Sequence, residues 1–145
     1  MGYEKINYKH TTPVQIRFND LDVFAHVNNA VIQEYFDLGR LYYLQQILEG
    51  ELKTGENTLI IASIKTDFLE PVMLEDNIVV KTSVYAIGEK SLKMVQLLLD
   101  KQSGIEKAVC ESVMVAFNKK LLQSVGFPGR WKQNIIAFER MVLEE

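Results

Sequence analysis

Apolar positions along the chain follow two periods, and each change of period marks a new element. Val14, Ile16 and Phe18 share one side of a period-two stretch, which predicts a first strand over residues 14–18. A polar segment, residues 19–29, follows. From there Ile32, Tyr35, Phe36, Gly39, Tyr43 and Ile47 recur at spacings of three and four, the apolar stripe of a helix reaching Leu48. Asn28 or Asn29 can cap its start, and Gly50 can stop it. Gly39 lies inside the stripe, where glycine costs a helix about 1 kcal/mol relative to alanine. Close approach of another backbone, as when a sheet wraps the helix, would account for it.

Period two then returns. Residues 59–68 are rich in β-branched side chains and end at Glu70-Pro71-Val72. Residues 77–87 form the next strand, with Ile78, Val80, Thr82, Val84 and Ala86 on one side. Gly88-Glu89-Lys90 turns the chain into residues 91–100, and Gln102-Ser103-Gly104 into residues 105–117. A last helix is predicted over residues 128–143, with Trp131, Ile135, Phe138 and Val142 on its stripe. One strand, one long helix and a run of strands make an α+β pattern, an antiparallel meander curled around the helix. No linker or repeat interrupts it, so residues 1–145 read as a single domain. An open sheet leaves edges that pairing between copies would cover, as in the expected homodimer or homotetramer, and that closure into a barrel would cover without a partner.

Composition narrows the function. The chain has 145 residues, 48% of them hydrophobic and 24% charged, as in ordinary globular proteins. A net charge of −3 argues against nucleic acid as the main partner, which needs a concentrated basic surface. No apolar run approaches a bilayer-spanning length, and no secretory core opens the sequence; a cytoplasmic location and no membrane partner are expected. Cys110 is the single cysteine, which excludes an intrachain disulfide. Its strand-like surroundings suggest a small half-buried residue rather than a nucleophile.

The chemistry concentrates in Asp20-Leu21-Asp22-Val23-Phe24-Ala25-His26-Val27-Asn28-Asn29. The segment joins an apolar strand to an apolar helix, so its polar side chains gather at the helix N-terminus. Unpaired N–H groups and partial positive charge there suit a developing oxyanion. An aspartate, with an ordinary pKa of about 3.9, is ionised at neutral pH and can act as nucleophile or general base. A thiolate, with a conjugate pKa of about 8.5, leaves without strong acid help. Thioester cleavage therefore needs a carboxylate and an oxyanion site above all. No Gly-x-Ser-x-Gly elbow offers a serine-hydrolase alternative. Asp20, Asp22 and His26 lack the spacing of a calcium loop or an HExxH zinc site, so no metal is expected.

The segment DLDVFAHVNN and the helix after it resemble the active-site stretch of hotdog-fold thioesterases of the 4-hydroxybenzoyl-CoA thioesterase type. They are also similar to the corresponding segment of plant acyl-acyl-carrier-protein thioesterases. The resemblance continues through Phe68-Leu69-Glu70-Pro71-Val72 and Ala86-Ile87-Gly88-Glu89-Lys90-Ser91 to the strand ending at Phe117. It implies a hotdog fold, an antiparallel sheet wrapped around one central helix. It also implies hydrolysis of acyl-CoA or acyl-carrier-protein thioesters without a cofactor.

Matched residue by residue, Asp22 takes the place of the family's catalytic aspartate. The N–H at or near Asn29 takes that of the carbonyl-polarising donor, and His26 that of the plant enzymes' histidine. Phe24 stands where the plant enzymes carry an asparagine, which favours a simpler aspartate-plus-helix mechanism. Phe24, Asn28 and Glu70 are the candidate substrate-binding residues. The bland readings are a loop aspartate, a carbonyl-bonded histidine and an asparagine cap. Asp20 fits a partner of Arg17 better than a catalyst. Lys119, Lys120, Arg130 and Lys132 form either a solvated face or a contact for a CoA phosphate. Two other functions remain open here: an acyl-thioester sensor that no longer hydrolyses, motivated by Phe24, and a hotdog dehydratase.

Overall fold

Burial at spacings of three and four, together with a side-chain cap, makes the long helix. In the computed structural model, which describes residues 6–48 and 51–140, α1 spans Asn29–Leu48. Asn28 caps it, its Oδ1 accepting the Ala30 N–H at 2.8 Å. Buried along α1 are Ile32, Tyr35, Phe36, Gly39, Tyr43 and Ile47, the predicted stripe, joined by Arg40, Leu44 and Leu48. Gly50, the expected stop, lies outside the described residues.

The strands are β1 (His10–Pro13), β2 (Asn57–Phe68), β3 (Ile78–Ile87), β4 (Ser91–Asp100), β5 (Glu106–Asn118) and β6 (Gln123–Ser124). All pair antiparallel in one sheet, ordered β1-β3-β4-β5-β2, with β6 beside β5. A one-turn helix α2 (Glu51–Thr54) precedes β2, and α3 (Gly129–Glu139) packs Trp131 and Ile135 against the far half of α1. This is the hotdog arrangement, with α1 lying on the inner face of the curled sheet. Gly39 marks the tightest approach. A Cβ there would sit 2.6 Å from Val80 Cγ1 and 2.8 Å from Gln96 Nε2, so strand side chains rather than backbone exclude it.

Three expectations need correction. The first strand is His10–Pro13, not residues 14–18. Val14 adds one more hydrogen bond to Ile78, but the Asp20 carboxylate then captures the Arg17 N–H at 3.0 Å and bends the chain into a 3-10 turn, Phe18–Asp20. Phe18 is left 76% exposed. In β3 a register shift between Val84 and Ala86 turns Ala86 out of the inner row, and Ile87 packs on the core instead. Cys110 is wholly buried rather than half-buried, with its Sγ 3.8 Å from Arg40 Nη1. On the last helix Val142, with residues 141–143, lies outside the described residues.

Candidate active site

The loop between the 3-10 turn and α1 is held from inside. Asp20 is almost fully buried and accepts the Tyr35 hydroxyl at 2.6 Å, besides the N–H and guanidinium of Arg17. Burial alone would raise its pKa, but these donors outweigh burial and hold it below the ordinary carboxylate value. The Asp20 carbonyl accepts the Asn28 N–H at 2.9 Å, tying the loop's two ends together. Asp20 is therefore the structural member of the segment. The Tyr35 contact was invisible in sequence because it joins positions fifteen residues apart.

On this base the chain makes a narrow excursion. Leu21 and Val27 form an isolated bridge, the Asp22 N–H donates to the His26 carbonyl at 2.8 Å, and Ala25 turns with φ of 64°. Asp22 Oδ1 accepts the Phe24 N–H at 2.8 Å, so one carboxylate oxygen shapes the turn. Among the described residues its other oxygen has no hydrogen-bond partner.

Asp22, Phe24, His26 and Asn29 line one open cavity of about 400 Å³ with Val27, Ile32 and the segment Phe68, Leu69, Glu70, Pro71 and Val72. The opposite wall is fixed from β5. Leu69 and Glu70 both donate their N–H to the Lys107 carbonyl, and Lys107 Nζ donates to the Pro71 carbonyl at 3.0 Å. Lys107 Nζ also lies 3.1 Å from Asp76 Oδ2. Val72 closes the circle by accepting the Val27 N–H at 2.9 Å.

The helix supplies the remaining donor. Asn28 satisfies Ala30 through its side chain, and Val31 and Ile32 through its carbonyl. Among the described residues the Asn29 N–H has no acceptor, and Asn29 borders the cavity. Five of the six candidate residues thus meet: Asp22, Phe24, His26, Asn29 and Glu70. Asn28 does not line the cavity and is engaged as the cap. The wall of Phe68, Leu69 and Val72 carried no chemical signature in sequence beyond its neighbour Glu70.

Lys119 and Lys120 follow β5 beside Asn57, at the opposite end of β2 from Phe68, roughly 35 Å along the strand. Within one chain they do not reach the cavity. Arg130 lies 3.7 Å from Glu51 at that same far end. Among the described residues no group of three or more His, Cys, Asp or Glu is placed to hold a metal ion. No helix among them is long and apolar enough to cross a membrane.

Asp22 and the start of the central helix thus border one cavity of a hotdog fold. The Thioesterase-like superfamily matches residues 16–135, and the chain belongs to it. A solved thioesterase from Thermus thermophilus, complexed with coenzyme A and zinc, is 30% identical, with a TM-score of 0.84 over 94% of this chain and 98% of that one. The long-chain acyl-CoA thioesterase FadM of Escherichia coli is 23% identical over 90% of this chain and 98% of its own length. The 1,4-dihydroxy-2-naphthoyl-CoA thioesterase Slr0204 from Synechocystis shares the fold at 16% identity, with a TM-score of 0.77 over 87% and 94% of the two chains.

Proposed function

We propose that this chain, as one domain, hydrolyses acyl-CoA thioesters in the cavity between the start of α1 and the end of β2. The reading rests on one observation: a half-exposed carboxylate with an unengaged oxygen and an unpaired helix-start N–H border the same cavity. The thioester carbonyl would lie against Asn29, whose N–H and helix dipole take up charge as the oxygen becomes an oxyanion. Asp22 attacks the carbonyl carbon or withdraws a proton from the water that does. The carbon–sulfur bond then breaks and the thiolate departs, with His26 hydrogen-bonding the reacting group. Phe24 and Phe68 offer apolar surface beside the centre, and Glu70 borders the same cavity. The coenzyme A in the Thermus relative and the acyl-CoA in the FadM name favour CoA over a carrier protein.

A second copy would complete the site. β2 is an edge strand whose outer side has no partner strand among the described residues, and Ile60, Ile61, Ile64, Phe68 and Leu69 are each 41–46% exposed on or beside it. Antiparallel pairing of β2 with its copy would cover this apolar edge and close the cavity at the subunit boundary. Thiol release from acyl-CoA and acyl-carrier-protein panels tests the reaction. Asp22→Ala is expected to lower kcat/KM by about 10²–10⁴-fold while leaving the thermal midpoint nearly unchanged. Equal activity of the two proteins would remove Asp22 from the mechanism, and tight acyl-CoA binding without turnover would make the chain a sensor.

A further inference from the structure

The cavity wall across from Asp22 has no regular structure. It belongs to residues 69–77, the connection between the end of β2 and the start of β3. Such a segment must find partners for its backbone groups singly, and Lys107 serves several of them. The Lys107 carbonyl accepts the Leu69 N–H at 2.8 Å and the Glu70 N–H at 3.1 Å. Its ammonium donates to the Pro71 carbonyl at 3.0 Å and lies 3.1 Å from Asp76 Oδ2. Asp76 Oδ2 in turn accepts the Met73 N–H at 2.8 Å. A bulge brings Lys107 to this place. In β5, Ala108 pairs with Leu98 and Glu106 with Leu99, which leaves Lys107 as the extra residue without a partner in β4. Strict alternation would put its side chain beside Val109 on the outer face of the sheet. The bulge turns it toward the β2–β3 connection instead. There the Lys107 side chain is 9% exposed and that of Asp76 17%.

We infer that Lys107 is a positioning residue that sets the width of the acyl cavity, and with it the breadth of acyl group accepted. The inference rests on the thioester reading of that cavity. Asp22, Phe24, His26 and Asn29 stand on one side, and Phe68 to Val72 on the other. The Val27–Val72 hydrogen bond joins the two sides at one point, and Lys107 holds the wall from behind. Lys107 does not line the cavity; it acts through wall residues that do. Loss of its ammonium takes the donor from the Pro71 carbonyl and leaves the Asp76 carboxylate largely buried without its cation. Both recover partners by moving toward water, which draws Pro71 and the turn after Val72 away from Asp22. The bonds of Leu69 and Glu70 to the Lys107 backbone persist, so the wall opens without unravelling. A wider cavity takes a ring or a branched chain with less strain and grips a straight chain less closely.

The test uses the whole chain and two thioethers, S-butyl-CoA and S-benzyl-CoA, which bind without being cleaved. The readout is the benzyl-to-butyl affinity ratio by calorimetry, because a smaller folded fraction scales both affinities alike. Lys107→Met should raise this ratio about tenfold. Asp76→Asn keeps an oxygen for the Met73 N–H but removes the charge, and should move the ratio the same way by less. It decides the matter if Lys107→Met does not fold. Glu139→Ala should leave the ratio unchanged, since its partners Tyr43, Ser83 and Val84 do not border the cavity. A ratio unmoved in both wall variants, or an equal shift in Glu139→Ala, overturns the proposal. Thiol release from butyryl-CoA and benzoyl-CoA is measured alongside. Its absence in the wild type would sink the hydrolytic reading, while the thioether ratio still judges Lys107. Absence of both release and thioether binding overturns the two together.

Discussion

The two ends of α1 carry carboxylates used in opposite ways. Near its start, Asp22 commits one oxygen to the Phe24 N–H and faces a cavity with the other. Beside its second half, Glu139 of α3 is buried and fully engaged. Its Oε2 accepts the Tyr43 hydroxyl at 2.5 Å and the Val84 N–H at 3.1 Å, and its Oε1 accepts Ser83 at 3.2 Å. The contrast separates a carboxylate that holds the fold from one with an oxygen unengaged at a cavity. Asp20 repeats the lesson only two residues from Asp22: fully bonded, it anchors the loop on which its neighbour is displayed.

The contrast breaks most visibly if Glu139 is replaced. Glu139→Ala strands the Tyr43 hydroxyl and the Val84 N–H in the core, and should cost about 3 kcal/mol in urea-unfolding stability. A loss within error of zero would mean that α3 is not pinned through this carboxylate. Tyr35→Phe sharpens the Asp20 half of the contrast, with an expected loss of about 2 kcal/mol at neutral pH. Because the folded pKa of Asp20 is depressed, its contribution is present above the ordinary value of 3.8 and fades as pH falls through the lower folded value. Without the Tyr35 donor the folded pKa rises, so the acid limb of the stability profile should move to higher pH. An unmoved limb would assign the depression to Arg17 alone.

The smallest effect concerns His10, which is buried edge-on against Tyr43 at 5.3 Å between ring centroids. Burial holds its pKa below 6.5, with the Glu139 charge and the Gln46 side chain pulling the other way. Neutral His10 is thus favoured by the fold, and its contribution is complete above pH 6.5 and declines as pH falls from there to the folded value. Thermal midpoints should therefore fall as pH drops below 6.5, and His10→Phe should flatten that slope. A slope that survives the substitution would point to another titrating group.

Periodicity made the main elements legible. The stripe of α1 and the strands from β2 to β5 match their predicted positions to within two residues, because burial on one face of a helix or strand is written into local order. The displaced β1 shows where that logic ends. Alternation at Val14, Ile16 and Phe18 was real, but the Asp20 carboxylate, accepting the Arg17 N–H, turned the backbone away from the sheet. The bulge in β3 likewise follows from pairing with β4, which no single strand's pattern contains.

Local sequence by itself determined that Asp22, His26 and Asn29 would gather at the start of the long helix, since all lie within one short connection between an apolar strand and an apolar helix. Only tertiary structure decided what faces them. The wall of Phe68 to Val72, the Tyr35–Asp20 anchor and the Val27–Val72 hydrogen bond all join residues far apart in the chain. Their meeting depends on how the sheet curls around α1, and that curl is set by packing across the whole core rather than by any one segment.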